Sequence, residues 1–133
     1  MGTRRRAREA ALKALYEIEY RKISFQELGR HLDEEEAGNA ELTSFLQNLL
    51  STFFTHKKDV DAAIEKKSEH WKLSRMSLVD RNILRLGITE ILFLPDIPKS
   101  VTINEYLEIA KRYGTEDSSG FVNGILDKFD KTL

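Results

Sequence analysis

The residues best able to do chemistry in this sequence are arginines. Arg4, Arg5, Arg6 and Arg8 fall within the first eight positions, and Arg81 and Arg85 stand one helical turn apart in the apolar stretch 78–94. A guanidinium is a planar fork that can hold a phosphate through two hydrogen bonds and lie flat on a nucleobase, so arginine suits a nucleic-acid backbone better than lysine does. The first run crowds the opening of a helix expected to start near Thr3. The positive end of the helix dipole lies there and disfavours each cation by about a few tenths of a kcal/mol. Stability alone would place acids at that point. Residues 1–22 carry seven basic side chains against three acidic ones, while the whole chain, with 21 Lys plus Arg and 22 Asp plus Glu, has a net charge of −1. The basic character is therefore local. It reads either as an arginine arm for phosphates or as a solvated terminus. For Arg81 and Arg85 two arrangements stay open: emergence through a gap between surrounding helices, or pairing inside the fold.

Other chemistry is poorly represented. With no cysteine, disulfides, thiolate metal sites and thiol nucleophiles are excluded. His31, His56 and His70 lack the spacing of metal ligands, and Glu65 with Glu69 reads as an i,i+4 surface pair rather than a catalytic dyad. There is no phosphate-binding loop, dinucleotide fingerprint, nucleophile elbow or metalloprotease motif. The expectation is a binding protein, not an enzyme, with no cofactor and no metal. The stretch 78–94 is too short and too charged for a convincing membrane span, and the N-terminus lacks the continuous apolar core of a secretory signal. A cytoplasmic protein with no membrane partner follows.

The elements that must position the arginines are all helices. Strand-like alternation is absent and prolines occur only at 95 and 98, so the class is all-α in one domain, 1–133, with halves of about 1–57 and 58–133. A first helix over 3–21 turns Ala11, Leu15 and Ile18 inward. The capping box Ser24 to Glu27 predicts a second, burying Phe25, Leu28 and Leu32, which fades into the acids 33–36 and a turn at Gly38. A third spans about 39–57 with a wide apolar face from Leu42 to Phe54, and Asp59 caps a fourth bearing Val60, Ala63 and Ile64. Trp71 then falls in a connector, where a core plug between the halves is favoured over a ligand-stacking residue. Ser77 launches the central helix and Pro95 ends it. It is apolar on most sides, so it belongs in the middle of the fold. Thr102 to Glu105 is another capping box, opening a helix with Ile103, Tyr106, Leu107 and Ala110 inward and Gly114 as its left-handed terminator. The last helix carries Phe121, Val122, Ile125, Leu126 and Phe129, with Gly120 and Gly124 expected where another backbone comes close.

Three strings, RRRAREAALKALYEIEY, DRNILRLGITEIL and SVTINEYLEIAKRYGTEDSSGFVNGILDK, together resemble the NusB family of bacterial transcription antitermination factors. The resemblance covers most of the chain and is densest from Trp71 to Lys128; the stretch 23–68 matches only as helix of the right length. It implies a compact seven-helix fold, a three-helix N-terminal half packed on a four-helix C-terminal half. It also implies an activity: pairing with NusE, a small-subunit ribosomal protein, to bind single-stranded boxA RNA. With other Nus factors and RNA polymerase, the pair would suppress termination in ribosomal RNA operons.

Carried over by position, the resemblance assigns Arg4, Arg5, Arg6, Arg8, Arg81 and Arg85, with Tyr16 and Asp117, to RNA. It assigns Tyr16, Asp80, Tyr113, Asp117 and Phe121 to NusE. Asp80 stands where the family usually has Glu, and Tyr113 where it often has Phe. From the residues alone, Asp80 and Asp117 also fit helix caps, Arg81 an exposed charge and Phe121 a core position. Two other functions are weighed. One is an RNA-recognition appendage of a ribosomal RNA cytosine methyltransferase, for which 133 residues leave no catalytic region. The other is a helical module that docks proteins alone. Self-association through the partner surface stays open. An arm of four to six phosphate-bound arginines predicts a slope of log affinity on log salt of roughly −3 to −4.

Overall fold

A computed structural model describes residues 2–22 and 34–131. Its centre is α5 (Leu78–Phe93), in which every residue from Asn82 to Ile91 is buried. Ser77 starts it as expected, its hydroxyl accepting the Asp80 N–H at 3.1 Å. Five helices pack on it: α1 (Thr3–Arg21), α3 (Ala40–Thr55), α4 (Lys57–Lys67), α6 (Lys99–Tyr113) and α7 (Ser118–Leu126). With the five-residue α2 (Glu34–Gly38) these make seven α-helices among the described residues, and a short 3-10 turn covers Leu73–Arg75. Gly87, in mid-helix, is needed for approach: a Cβ there would come within 2.9 Å of a Leu126 methyl and 3.6 Å of the Tyr106 ring. At the far end of α5, Lys131 adds a second donor to two carbonyls that already accept backbone N–H groups, Glu90 O at 2.9 Å and Leu94 O at 2.8 Å.

The first helix has the predicted bounds and buries Ala7, Ala11, Leu12, Ala14 and Leu15 against α3 and α5. Its alanines let the neighbouring backbones come near. The expected second helix at Ser24 to Glu27, with Phe25, Leu28 and Leu32, lies outside the described residues. Asn39 caps α3 by accepting the Leu42 N–H at 3.1 Å. The α4 cap position is His56 rather than Asp59, which sits in the first turn.

Four expectations fail. The capping box at Thr102 opens nothing, because α6 begins three residues earlier behind Pro98. Thr102 is buried and donates to Glu90 instead. Gly114 is not left-handed, at φ −96° and ψ −163°. It is required by space, since a Cβ would meet the Ser118 side chain and stand 2.9 Å from the Ala110 carbonyl oxygen. Gly120 and Gly124 face open space, so no backbone packs on them. Trp71 plugs no core: half of it is exposed.

Candidate nucleic-acid and partner interface

The six arginines divide by their place on the helices. Arg4 is exposed on α1, with its guanidinium 4.9 Å from the centre of the Phe45 ring. Arg6 is half-buried. Arg5 is held by Glu105 of α6 in a two-pronged pair at 2.9 and 2.7 Å. That bond raises the Arg5 pKa and keeps the Glu105 carboxyl below its ordinary value of 4.5.

Arg8 lies on the inward stripe with Leu12 and Leu15 and is only 2% exposed. Both edges of its guanidinium meet Glu90 at 2.8 Å. Glu90, wholly buried, also accepts from the Thr102 hydroxyl at 3.0 Å and the Tyr106 hydroxyl at 2.6 Å. Burial opposes the Arg8 charge, but the bonds and field of Glu90 outweigh it and leave the group more firmly protonated than in water. Burial likewise pushes the Tyr106 phenol well above its usual range, with the Glu90 charge adding to the effect. This cluster ties α1, α5 and α6 together.

Arg81 and Arg85 take the second of the two arrangements left open, pairing inside the fold. Arg85 is 8% exposed and bonds to Asp61 at 2.8 and 3.1 Å, to Glu19 at 2.6 Å and to Asn82 at 3.1 Å. Arg81 reaches Glu19 at 3.1 Å and the Leu73 carbonyl at 3.0 Å. Arg8 and Arg85, expected at phosphates, thus have their donors taken up by buried or half-buried acids.

The residues assigned to a protein partner gather at one end of the bundle. Helices α1 and α6 run parallel, joined by Arg5 to Glu105, Arg112 to Glu9 at 3.1 Å, and Lys13 at 5.8 Å over the Tyr113 ring. Both therefore finish at the same end, where Glu19 meets the start of α5 and where α7 begins. Tyr16, Asp80, Tyr113, Asp117 and Phe121 all belong to this end. Along α1, Tyr16 lies about 18 Å from Arg4, at 1.5 Å per residue. Tyr16 is 36% exposed and stacks on Tyr20, ring centres 5.7 Å apart and planes 21° apart. Neither acid caps its helix, since Ser77 caps α5 and the Asp117 side chain makes no capping bond. Asp117 is exposed, and one buried carboxylate oxygen of Asp80 has no hydrogen-bond partner among the described residues. Phe121 is half-buried and meets Trp71 edge to face at 6.2 Å and 83°.

Comparison with known proteins fits this arrangement. The NusB family model matches residues 5–131. The transcription antitermination protein NusB of Geobacter sulfurreducens is 46% identical over 134 residues, covering 100% of this chain and 97% of the relative. The chain belongs to the NusB family. A solved structure of T. maritima NusB matches with TM-score 0.89 and 42% identity, over 97% of this chain and 93% of that one. A crystal structure of antitermination factors NusB and NusE in complex with double-stranded RNA matches with TM-score 0.85 and 31% identity, over 96% of each chain.

Two exposed aromatics of this NusB-family chain escaped the sequence reading. Tyr20 is 68% exposed and repeats Tyr16 one turn on, a signal present in the spacing. Trp71 sits between the charged or polar neighbours His70 and Lys72, a poor setting for a core residue. Among the described residues no group of His, Asp or Glu could hold a metal ion, and no helix is long and apolar enough to cross a membrane.

Proposed function

We propose that this protein is a cytoplasmic transcription antitermination factor that pairs with NusE and, as that pair, binds single-stranded boxA RNA. With other Nus factors it would keep RNA polymerase processive through ribosomal RNA operons. The observation that carries the reading is the division of α1. Its arginine-rich start offers the exposed Arg4 to phosphates, and its far end presents Tyr16 and Tyr20 beside Asp80, Tyr113, Asp117 and Phe121. Two ligands can then be held at once without competing for one surface. The relative solved with NusE and RNA supports the same pairing. Its RNA is a duplex, whereas free bases that stack and show their edges favour a single strand here. Self-association would cover the aromatic end and compete with NusE.

The test is a titration of fluorescent boxA RNA with this protein, alone and with NusE, at two salt concentrations, with a duplex of the same sequence beside it. Tighter, salt-sensitive binding of the single strand in the presence of NusE, weakened by Arg4→Ala, is the expected result. Equal binding with and without NusE, or preference for the duplex, would overturn it.

A further inference from the structure

Trp71 is the sole tryptophan of the chain, and at 50% exposure it leaves on the order of 100 Å² of aromatic surface in water. It does not hang on a loose loop. Its N–H donates to the Ser68 carbonyl at 3.1 Å, the buried Ser68 hydroxyl stands 2.8 Å from its carbonyl oxygen, and two residues on the Leu73 N–H is taken by Glu65 at 3.1 Å. Phe121 supports the indole edge to face. Beside it opens a cleft of about 410 Å³, lined in part by Glu69, Lys72 and Arg75.

Its position matters as much as its exposure. The Leu73 carbonyl accepts from Arg81, next to Asp80 at the head of α5, and Phe121 lies one turn into α7, past Asp117. Trp71 thus stands between the heads of α5 and α7, at the end of the bundle where the partner residues gather. We infer that Trp71, backed by Phe121, is an aromatic anchor that NusE buries when the two proteins pair. The inference rests on the pairing reading above and names the residue that pins it. A protein fits this surface better than RNA. The cleft sets Glu65 and Glu69 against Lys72 and Arg75, so its formal charges balance and it offers a phosphate chain no net attraction. A rigidly held tryptophan at a patch where charges cancel is the usual form of a protein–protein hot spot.

One tryptophan makes the test direct. The full chain labelled with 5-fluorotryptophan gives a single ¹⁹F resonance, titrated separately with unlabelled NusE and with boxA RNA. The resonance should move with NusE and stay put with RNA alone. Trp71→Ala should weaken NusE affinity by about 10- to 100-fold, and Trp71→Phe by less, at unchanged thermal stability and unchanged RNA affinity of the chain alone. NusE binding the wild type and Trp71→Ala equally, with the resonance unmoved, overturns this inference and leaves the pairing standing. A resonance that answers to RNA alone makes Trp71 a base-stacking residue and overturns it too. Failure of the wild type to bind NusE at all overturns the pairing, and the inference with it.

Discussion

Replacing Arg8 by methionine should unfold this protein more readily without touching any surface that RNA could see. The substitution keeps most of the side-chain length but removes both donors to Glu90, each at 2.8 Å in a site where the two groups are 2% and 0% exposed. Glu90 keeps the Thr102 and Tyr106 hydroxyls, which are neutral, and loses its only counter-charge at bonding distance. Removing one partner of a buried ion pair costs about 3–5 kcal/mol. Unfolding entropy near 2.1 cal/mol/K per residue amounts to roughly 280 cal/mol/K for 133 residues, so the midpoint should fall by about 10–18 °C.

Differential scanning calorimetry of wild type, Arg8→Met, Glu90→Gln and the double variant measures both the loss and the coupling. The double variant should be more stable than the sum of the two single losses implies, because it leaves no unpaired charge behind. Arg4→Ala is the contrast, and should move the midpoint by less than about 2 °C. An Arg8→Met protein that melts within about 2 °C of wild type, yet binds RNA more weakly, would refute the reasoning and restore Arg8 to the arm. The contrast has a practical consequence. Replacing all four N-terminal arginines together would confuse loss of fold with loss of phosphate contact.

Three further substitutions probe other positions. The Arg5 bond holds the Glu105 pKa below 4.5, so its contribution is present above the unfolded pKa and is lost as pH falls through the folded one. Urea midpoints of wild type and Glu105→Gln should therefore differ at pH 7 and converge as pH falls through the lowered Glu105 pKa; a gap that persists in strong acid would exclude the ion pair as its source. Gly114→Ala should cost about 1–3 kcal/mol, because the new methyl meets Ser118 and the Ala110 carbonyl at 2.9 Å. Gly120→Ala, into open space, should stabilise α7 by up to about 1 kcal/mol. Chemical denaturation of the two variants reads the opposite signs directly.

The sequence announced its helices where periodicity was long, as over 3–21, or where a local cap was used, as at the Ser77 start of α5. It misled where a local pattern served a distant purpose. Thr102 and Glu105 have the spacing of a capping box, but their partners are Glu90 and Arg5, and the Arg5 pairing spans a hundred residues of chain. Nothing near 102 in the sequence says so. The arginines were readable in part. Arg8 shares a face with Leu12 and Leu15, and Glu90 stands in an otherwise apolar helix; an acid and a base each stranded among apolar residues are natural partners. Arg4, four positions earlier, is exposed and lies over the Phe45 ring. Identical residues one turn apart thus have unrelated fates, and only the packing of α3, α5 and α6 around α1 separates them. Trp71 escaped because residue type argued for burial while its flanking charges argued against it.

The same pairings explain why this fold should need a second protein to hold RNA well. Of the six arginines singled out, Arg5 is engaged by Glu105, Arg8 by Glu90, and Arg81 and Arg85 by Glu19 and Asp61. A phosphate approaching those four competes with a carboxylate already at bonding distance, and for the buried ones it also faces desolvation. Arg4, exposed and lying over the Phe45 ring, remains as a position where the arm can meet a backbone. One single-strand phosphate contact gives a salt slope of roughly −0.7, against the −3 to −4 that a full arm would show. The chain alone therefore gains little from charge, in keeping with its net −1. Affinity must come from contact area and cations that a partner brings. The exposed aromatics at the far end of α1, about 18 Å from the arginines, are placed to recruit that partner without obstructing the RNA.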